Sequence, residues 1–478
     1  MRFALHRVLL AVLVVGNAVA FAGVDPVARV VTAALVLVLL YDLREVPEVP
    51  KPLRLAVWIF LGLLIVQLLP LPGGLRSLAQ PGFGSLIDPG WRPLSLAPWA
   101  TLQVAASAVI AAAIVLVTMR IAATRTGLPA LLGLVAVTCA VLALLGLAGE
   151  SGAPEKVMLV RDNTGGGDAY GPYVNSNHFA LGIELCLPAV LVLLAVSLRN
   201  VRLPGAARQR AAVTGLAAAV IASVAFAAML RSGSRGGVLF LATGLLLTAP
   251  LWFGPRSSVR WRWLTAAFAV LSGTVVLAWT RLQDLRDGFS ALFVLDGAGG
   301  NTRWDIWAAT WRLFERSPIV GSGLGSYRHV IGVDKPATGT AVLEHAHNDW
   351  LEWLATAGLP GGVALALVVV VVASLLRPSS VQRLRFEIRY ALAGAAAALV
   401  SAGLHECVGF GLQTPLNRYL LAVWIGLVLG VGIRVDRGRR REQETGSLPN
   451  DQAPAGDEGD GPFDQPATKA ESEMDFRQ

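Results

Sequence analysis

The chain is poor in charge, in cysteine and in histidine, and each scarcity excludes something. Only 15% of its 478 residues are charged and the mean hydropathy is +0.59, against roughly a quarter charged in ordinary soluble domains. A soluble globular enzyme and a disordered chain are thereby excluded. Cys139, Cys186 and Cys407 stand in or at the ends of separate apolar runs without C-x-x-C spacing, which argues against a disulfide framework or a thiolate metal site. Acid is scarce except near the C-terminus. Residues 442–478 hold ten of the 32 acids, leaving 38 basic and 22 acidic residues before them. This positive excess follows the loops, as membrane orientation requires, and gives no nucleic-acid-binding patch.

What the chain has in abundance is apolar runs. Spans are predicted near 8–23, 27–41, 55–71, 101–118, 128–148, 178–198, 211–230, 236–253, 262–280, 351–376, 388–404 and 418–434, each suited to a membrane helix rising ~1.5 Å per residue. Starting inside, the inner connections hold Arg2 and Arg7; Arg44, Lys51 and Arg54; Arg120 and Arg125; Arg199, Arg202, Arg208 and Arg210; Arg256, Arg260 and Arg262; Arg377, Arg383, Arg385 and Arg389; and the Arg434 to Arg441 cluster. Both termini are therefore expected in the cytoplasm. The first span also reads as a signal peptide with Ala18-Val19-Ala20 as its cleavage site, but a second span follows almost at once and the even count would break. The expected fold is all-α, a polytopic integral membrane protein of about 12 helices. Its outer segments are 72–100, 149–177 and 281–350, the last carrying short amphipathic helices. Regions 1–170, 171–435 and a disordered acidic cytoplasmic tail at 436–478 divide the chain.

Five polar clusters fall at one face of this bundle. Glu344-His345-Ala346-His347-Asn348-Asp349-Trp350-Leu351-Glu352 ends the longest outer loop, and Asp349 and Glu352 have capping-box spacing. That places His347 two residues before a helix, where the positive helix end keeps imidazole neutral and attracts phosphate. Capping alone accounts for the acids but not for two of the six histidines. His345 and His347 with Glu344 or Asp349 read alternatively as a zinc site, although no third ligand has a recognisable spacing.

Arg231 and Arg235, in R-S-G-S-R-G-G, lie on the outer side against the charge rule, which suggests a polar cavity or an anion, with snorkelling to lipid phosphate as the alternative for Arg231. Asn301-Thr302-Arg303-Trp304 opens a helix with Trp304, Trp307, Trp311 and Phe314 as an apolar stripe, expected to lie on the membrane or on the bundle. Gly321 to Tyr327 is expected to be a turn. Asn175-Ser176-Asn177-His178 and Leu404-His405-Glu406 followed by Gln413 to Asn417 complete the set.

Taken in order, N-x-N-H-F-A at 175–180, S-R-G-G at 234–237, N-T-R-W at 301–304, P-x-x-G-x-G at 318–323 and H-x-H-N-D-W-L-E at 345–352 resemble the O-antigen ligase and O-antigen polymerase superfamily of bacterial envelopes. The segment H-E-C-V-G-F-G-L-Q-T-P-L-N at 405–417 looks like that family's H-S-L-V-D-F-x-L-x-x-P-x-N, with Glu406 and Gly409 replacing Ser and Asp. No catalytic role is carried onto this departing segment. The resemblance implies a GT-C-like membrane glycosyltransferase of the inner membrane with its site facing the periplasm and 171–435 as its catalytic region. It implies no cofactor and no metal. The donor would be a glycan on undecaprenyl diphosphate. The acceptor would be a sugar hydroxyl on lipid A core or on another lipid-linked repeat, in lipopolysaccharide or exopolysaccharide biosynthesis; relatives glycosylate protein. By motif, Arg235 and Arg303 would bind diphosphate and His347 would be the base or the residue that orients the acceptor, supported by Asn177, His178, His345, Asn348 and Asp349. A transporter or flippase for an anionic lipid-linked substrate is the other reading of the same arginines.

Overall fold

In lipid the backbone finds no partner but itself, so long Ala-, Leu- and Val-rich runs fold as helices. The computed structural model describes residues 2–41, 48–86, 90–149, 156–158, 160–162, 168–253, 303–334 and 343–446. The long helices are α1 (Arg2–Val19), α2 (Pro26–Tyr41), α3 (Lys51–Leu68), α4 (Pro98–Ala122), α5 (Gly127–Gly149), α6 (Ser176–Asn200), α7 (Gly205–Arg231), α8 (Arg235–Leu247), α9 (Arg303–Arg316), α10 (Asp349–Leu375), α11 (Phe386–His405) and α12 (Pro415–Gly446). Among the described residues the strands are two-residue antiparallel pairs, Pro70–Leu71 with Arg92–Pro93 and Lys156–Val157 with Arg161–Asp162. The expected span 262–280, residues 281–302 of the long loop and the tail from 447 lie outside the described residues. The chain divides into the units Met1–Ile433 and Arg434–Gln478. The second is helical as far as Gly446.

Eight of these helices, α3 to α7 and α10 to α12, are long and apolar enough to cross a membrane, and Ala4–Val19, Pro26–Tyr41 and Arg235–Leu247 are shorter apolar helices. The chain is a helical membrane protein. Its side chains support the same conclusion, because Val109, Leu216, Val220, Val369 and Val370 are exposed on these helices, where lipid is the solvent that accepts them.

α6 is the centre of the bundle. It packs against α5, α7 and α11 and is buried continuously from His178 to Val190. Small residues make this possible. A Cβ at Gly237 would sit 2.5 Å from Ala180 Cβ, so α8 approaches α6 more closely than any side chain would permit.

α10 packs against α3 and α9 and is broken at Gly358, whose φ of 65° lies in the left-handed region. The glycine-rich segment expected to be a turn fills that break. Ser322 and Gly323 donate to Ala355 O and Thr356 O at 3.1 Å each, while Leu359 donates to Pro318 O at 2.8 Å. Gln67 closes the arrangement, donating to Val320 O at 2.7 Å and accepting from Leu324 N–H at 2.9 Å. The loop amides are thus used inside the protein.

α9 docks by Ile306, Ala309 and Leu313 onto Phe83, Tyr327, Ile331, Leu343 and Ala346. The buried face lies beside the expected aromatic stripe, and Trp304 and Trp311 stay exposed. Small and branched side chains let the helix seat closely, leaving Trp304 and Trp311 on the outside.

Candidate functional site

The site is built where helix ends meet. Asn175 caps α6, accepting the Asn177 N–H at 2.8 Å. Ser234 caps α8 by accepting the Gly237 N–H at 3.3 Å, and its hydroxyl donates to Asn177 Oδ1 at 2.7 Å. At the start of α12, Thr414 Oγ1 lies 3.1 Å from His178 Nδ1, and the Asn417 amide donates to His178 O at 2.9 Å. Three separated motifs therefore form one network. With α9 and α10 they bring several helix N-termini to one place, a field that favours an anion.

Phe410 is the hub. Its ring meets those of His178, His345 and His347 at centroid distances of 4.5, 4.7 and 4.6 Å, stacked with His345 and close to perpendicular with the other two. The segment to which no role was carried thus supplies the surface that gathers three histidines.

The entry to α10 differs from the expected capping box. Asn348, not Asp349, is the cap, and its Oδ1 accepts the Leu351 N–H at 3.0 Å. The reason is the backbone at His347, whose φ of 51° turns the chain so that Asn348 is the extended residue before the first turn. His347 therefore stands directly before the cap. Glu352 does reach back, but past the cap to Ala346 N–H at 2.8 Å and His345 Nδ1 at 3.2 Å. Asp349, released from capping, accepts from Gln413 Nε2 at 2.9 Å and faces Glu406. Burial first, and then the Asp349 charge, push the Glu406 carboxyl well above its usual range, so Glu406 holds the proton of this pair.

The neighbouring histidines are tuned in opposite directions. Burial, then the charges of Arg303 and His345, lower the His347 pKa to about 3, so its imidazole is neutral at neutral pH. Burial also opposes the His345 cation, but the Glu352 hydrogen bond and the Glu352, Asp349 and Glu344 charges outweigh it and raise its pKa. Neither arginine has a carboxylate partner among the described residues. Arg303 is half-buried, its Nε has no partner, and burial lowers its pKa. Arg235, the first residue of α8, is exposed and makes no side-chain hydrogen bond or ion pair among the described residues. A guanidinium withdrawn from water without a carboxylate is stabilised by an incoming anion.

Residues 217–366 match the O-antigen ligase family. This match supports the resemblance to the O-antigen ligase and polymerase superfamily. No curated protein matches it. The matched segment contains Arg235, Arg303 and His347 and ends before α11, so Glu406, Phe410 and Gln413 lie beyond it.

Of the residues singled out in the sequence, Asn177, His178, His345, His347, Asn348 and Asp349 come together. Arg303 joins through its charge on His347, and Arg235 adjoins through Ser234 and Asn177. For the zinc reading, His345 is spent on Glu352 and Phe410, and among the described residues no three of His, Cys, Asp and Glu gather as metal ligands. Sequence reasoning assigned nothing to Phe410, Glu406 or Glu184. Glu184 had a usable signal as the one acid in α6.

Proposed function

We propose that this protein transfers or polymerises a glycan from undecaprenyl diphosphate onto a sugar hydroxyl, on lipid A core or on another lipid-linked repeat, at the periplasmic face of the bacterial inner membrane. The observation that carries the reading is the convergence of two arginines that have no carboxylate partner among the described residues, a neutral histidine and several helix N-termini. A lipid diphosphate needs these features together, because its tail stays in the bilayer while its charge needs donors at the interface. In this reading the chain crosses the membrane twelve times with both ends in the cytoplasm. The site supports that orientation, because Arg199, Arg202, Arg208, Arg210, Arg377, Arg383, Arg385 and Arg389 stand at the opposite ends of the same helices.

Arg235 and Arg303 hold the diphosphate, and His347 accepts the acceptor hydroxyl's proton as that oxygen attacks the anomeric carbon. The bond from this carbon to the phosphate oxygen breaks, and its electron pair stays on the diphosphate. Charge neutralisation and alignment supply the catalysis, so no metal is required. Pairing Arg303 with diphosphate also removes one cause of the depressed His347 pKa, making His347 a better base when donor is bound. The break in α10 favours transfer over transport, since its freed backbone groups are bonded to the 318–323 loop and offer a transported solute none.

The test is transfer by purified protein in nanodiscs, with lipid-linked glycans from the native strain as donor. Loss of turnover in Arg235→Ala and Arg303→Ala at normal protein levels is expected, and normal turnover in both refutes the reading. In a deletion strain, surface polymer of single-repeat length identifies a polymerase, whereas full-length polymer retained on the lipid carrier identifies a ligase.

A further inference from the structure

Glu184 is fully buried within a membrane span, a costly position that usually marks function. One carboxylate oxygen accepts the Ser401 hydroxyl and the other lies 2.6 Å from His405 Nδ1. This contact engages Nδ1 and leaves Nε2 as the working nitrogen. His405 is itself buried. Its Nε2 has no hydrogen-bond partner among the described residues. That nitrogen lies 3.7 Å from the point where a Cβ of Gly236 would stand. It therefore faces the first turn of α8, one residue after Arg235. The ring of Phe240 covers the imidazole at 5.2 Å. A hydrogen bond that merely locked α6 to α11 would not require the second nitrogen to face the α8 terminus through a glycine.

We propose that His405, oriented by Glu184, hydrogen-bonds the departing diphosphate through Nε2–H; this rests on the reading above in which Arg235 holds that group. When donor binds, the diphosphate and Glu184 flank the ring, the diphosphate at Nε2 and Glu184 at Nδ1. As the carbon–oxygen bond breaks, the electron pair left on the phosphate oxygen is met by the Nε2–H. The acceptor's proton goes separately to His347. Glu184 is the positioning residue and does not touch substrate. The other titratable groups around His405 are His178 from α6, Arg235 at the start of α8 and Glu406 next in the chain, and Glu184 alone pairs with Nδ1.

The experiment uses the full chain in nanodiscs and undecaprenyl diphosphate as the probe, with binding measured by calorimetry. His405→Gln should bind roughly tenfold or more weakly, as expected for losing a hydrogen bond to a charged group. Glu184→Gln, which keeps the side-chain shape, should weaken binding too and should cost nothing further in the His405→Gln background, where a merely structural role would still weaken it. His347→Gln should bind like wild type. If His405→Gln fails to fold, the contrast between Glu184→Gln and His347→Gln decides. Wild-type affinity in His405→Gln, or weakened binding only in His347→Gln, overturns the proposal. Undiminished binding in Arg235→Ala and Arg303→Ala instead overturns the diphosphate site itself.

Discussion

On the α10 side of the site, His347 has no carboxylate against it among the described residues, sits in a left-handed backbone turn and feels the Arg303 charge. On the α6–α11 side, His405 is fastened to the buried Glu184 by Nδ1, with its other nitrogen toward α8. The side chains are identical, but one environment keeps the ring neutral and the other holds it by Nδ1 so that Nε2 faces the α8 terminus. A base and a hydrogen-bond donor can therefore work at one site, with the assignment made by surroundings and not by residue type.

The largest expected break in this comparison is His347→Ala. General-base help is typically worth ~10²–10⁴-fold, so transfer should fall by that factor while undecaprenyl diphosphate binding persists; wild-type rates in nanodiscs would move acceptor activation elsewhere. Next come the arginines. Each alanine variant should lose about 10²–10³-fold, as for removal of one donor to developing negative charge, and Arg→Lys should recover only part, because a point charge cannot replace the fork. Transfer equal in the Lys and wild-type proteins would show that charge alone suffices.

A smaller effect sharpens the contrast within the loop itself. His347 has a folded pKa of about 3, below the ordinary value near 6.5, so its contribution to stability is present above that value and lost as pH falls toward the folded one. His347→Gln should flatten this acid-side decline in thermal unfolding. His345 is shifted upward. Its contribution is present below ~6.5 and lost as pH rises through the raised value, and His345→Gln should remove that loss. The same slope change in both variants would contradict the opposed tuning. Smallest is the cap, since Asn348→Ala should cost about 1 kcal/mol in denaturation of the detergent-solubilised protein, and no loss would return the capping role to another residue.

Apolar runs and arginine-rich loops made the helical membrane class legible, because both patterns are local in sequence. Arg235, Arg303 and His347 were legible as motif residues standing where plain lipid contact or capping did not account for them. The cap position was less so. Asn348 and Asp349 have nearly equal capping preference, and only the turn at His347 selects between them. Which face of α9 docks was not legible either, since it depends on the surface offered by Phe83, Tyr327 and Leu343.

By itself the sequence determined that the chain is helical and membrane-bound, and where its charge stands along the chain, because hydrophobicity and charge act on each residue against its solvent. Only the tertiary structure decided that Phe410 would gather His178, His345 and His347, that Asp349 would face Glu406, and that Glu184 would hold His405. These pairings join helices far apart in the chain, and their energetics depend on burial and approach distance, quantities that arise only when the helices pack.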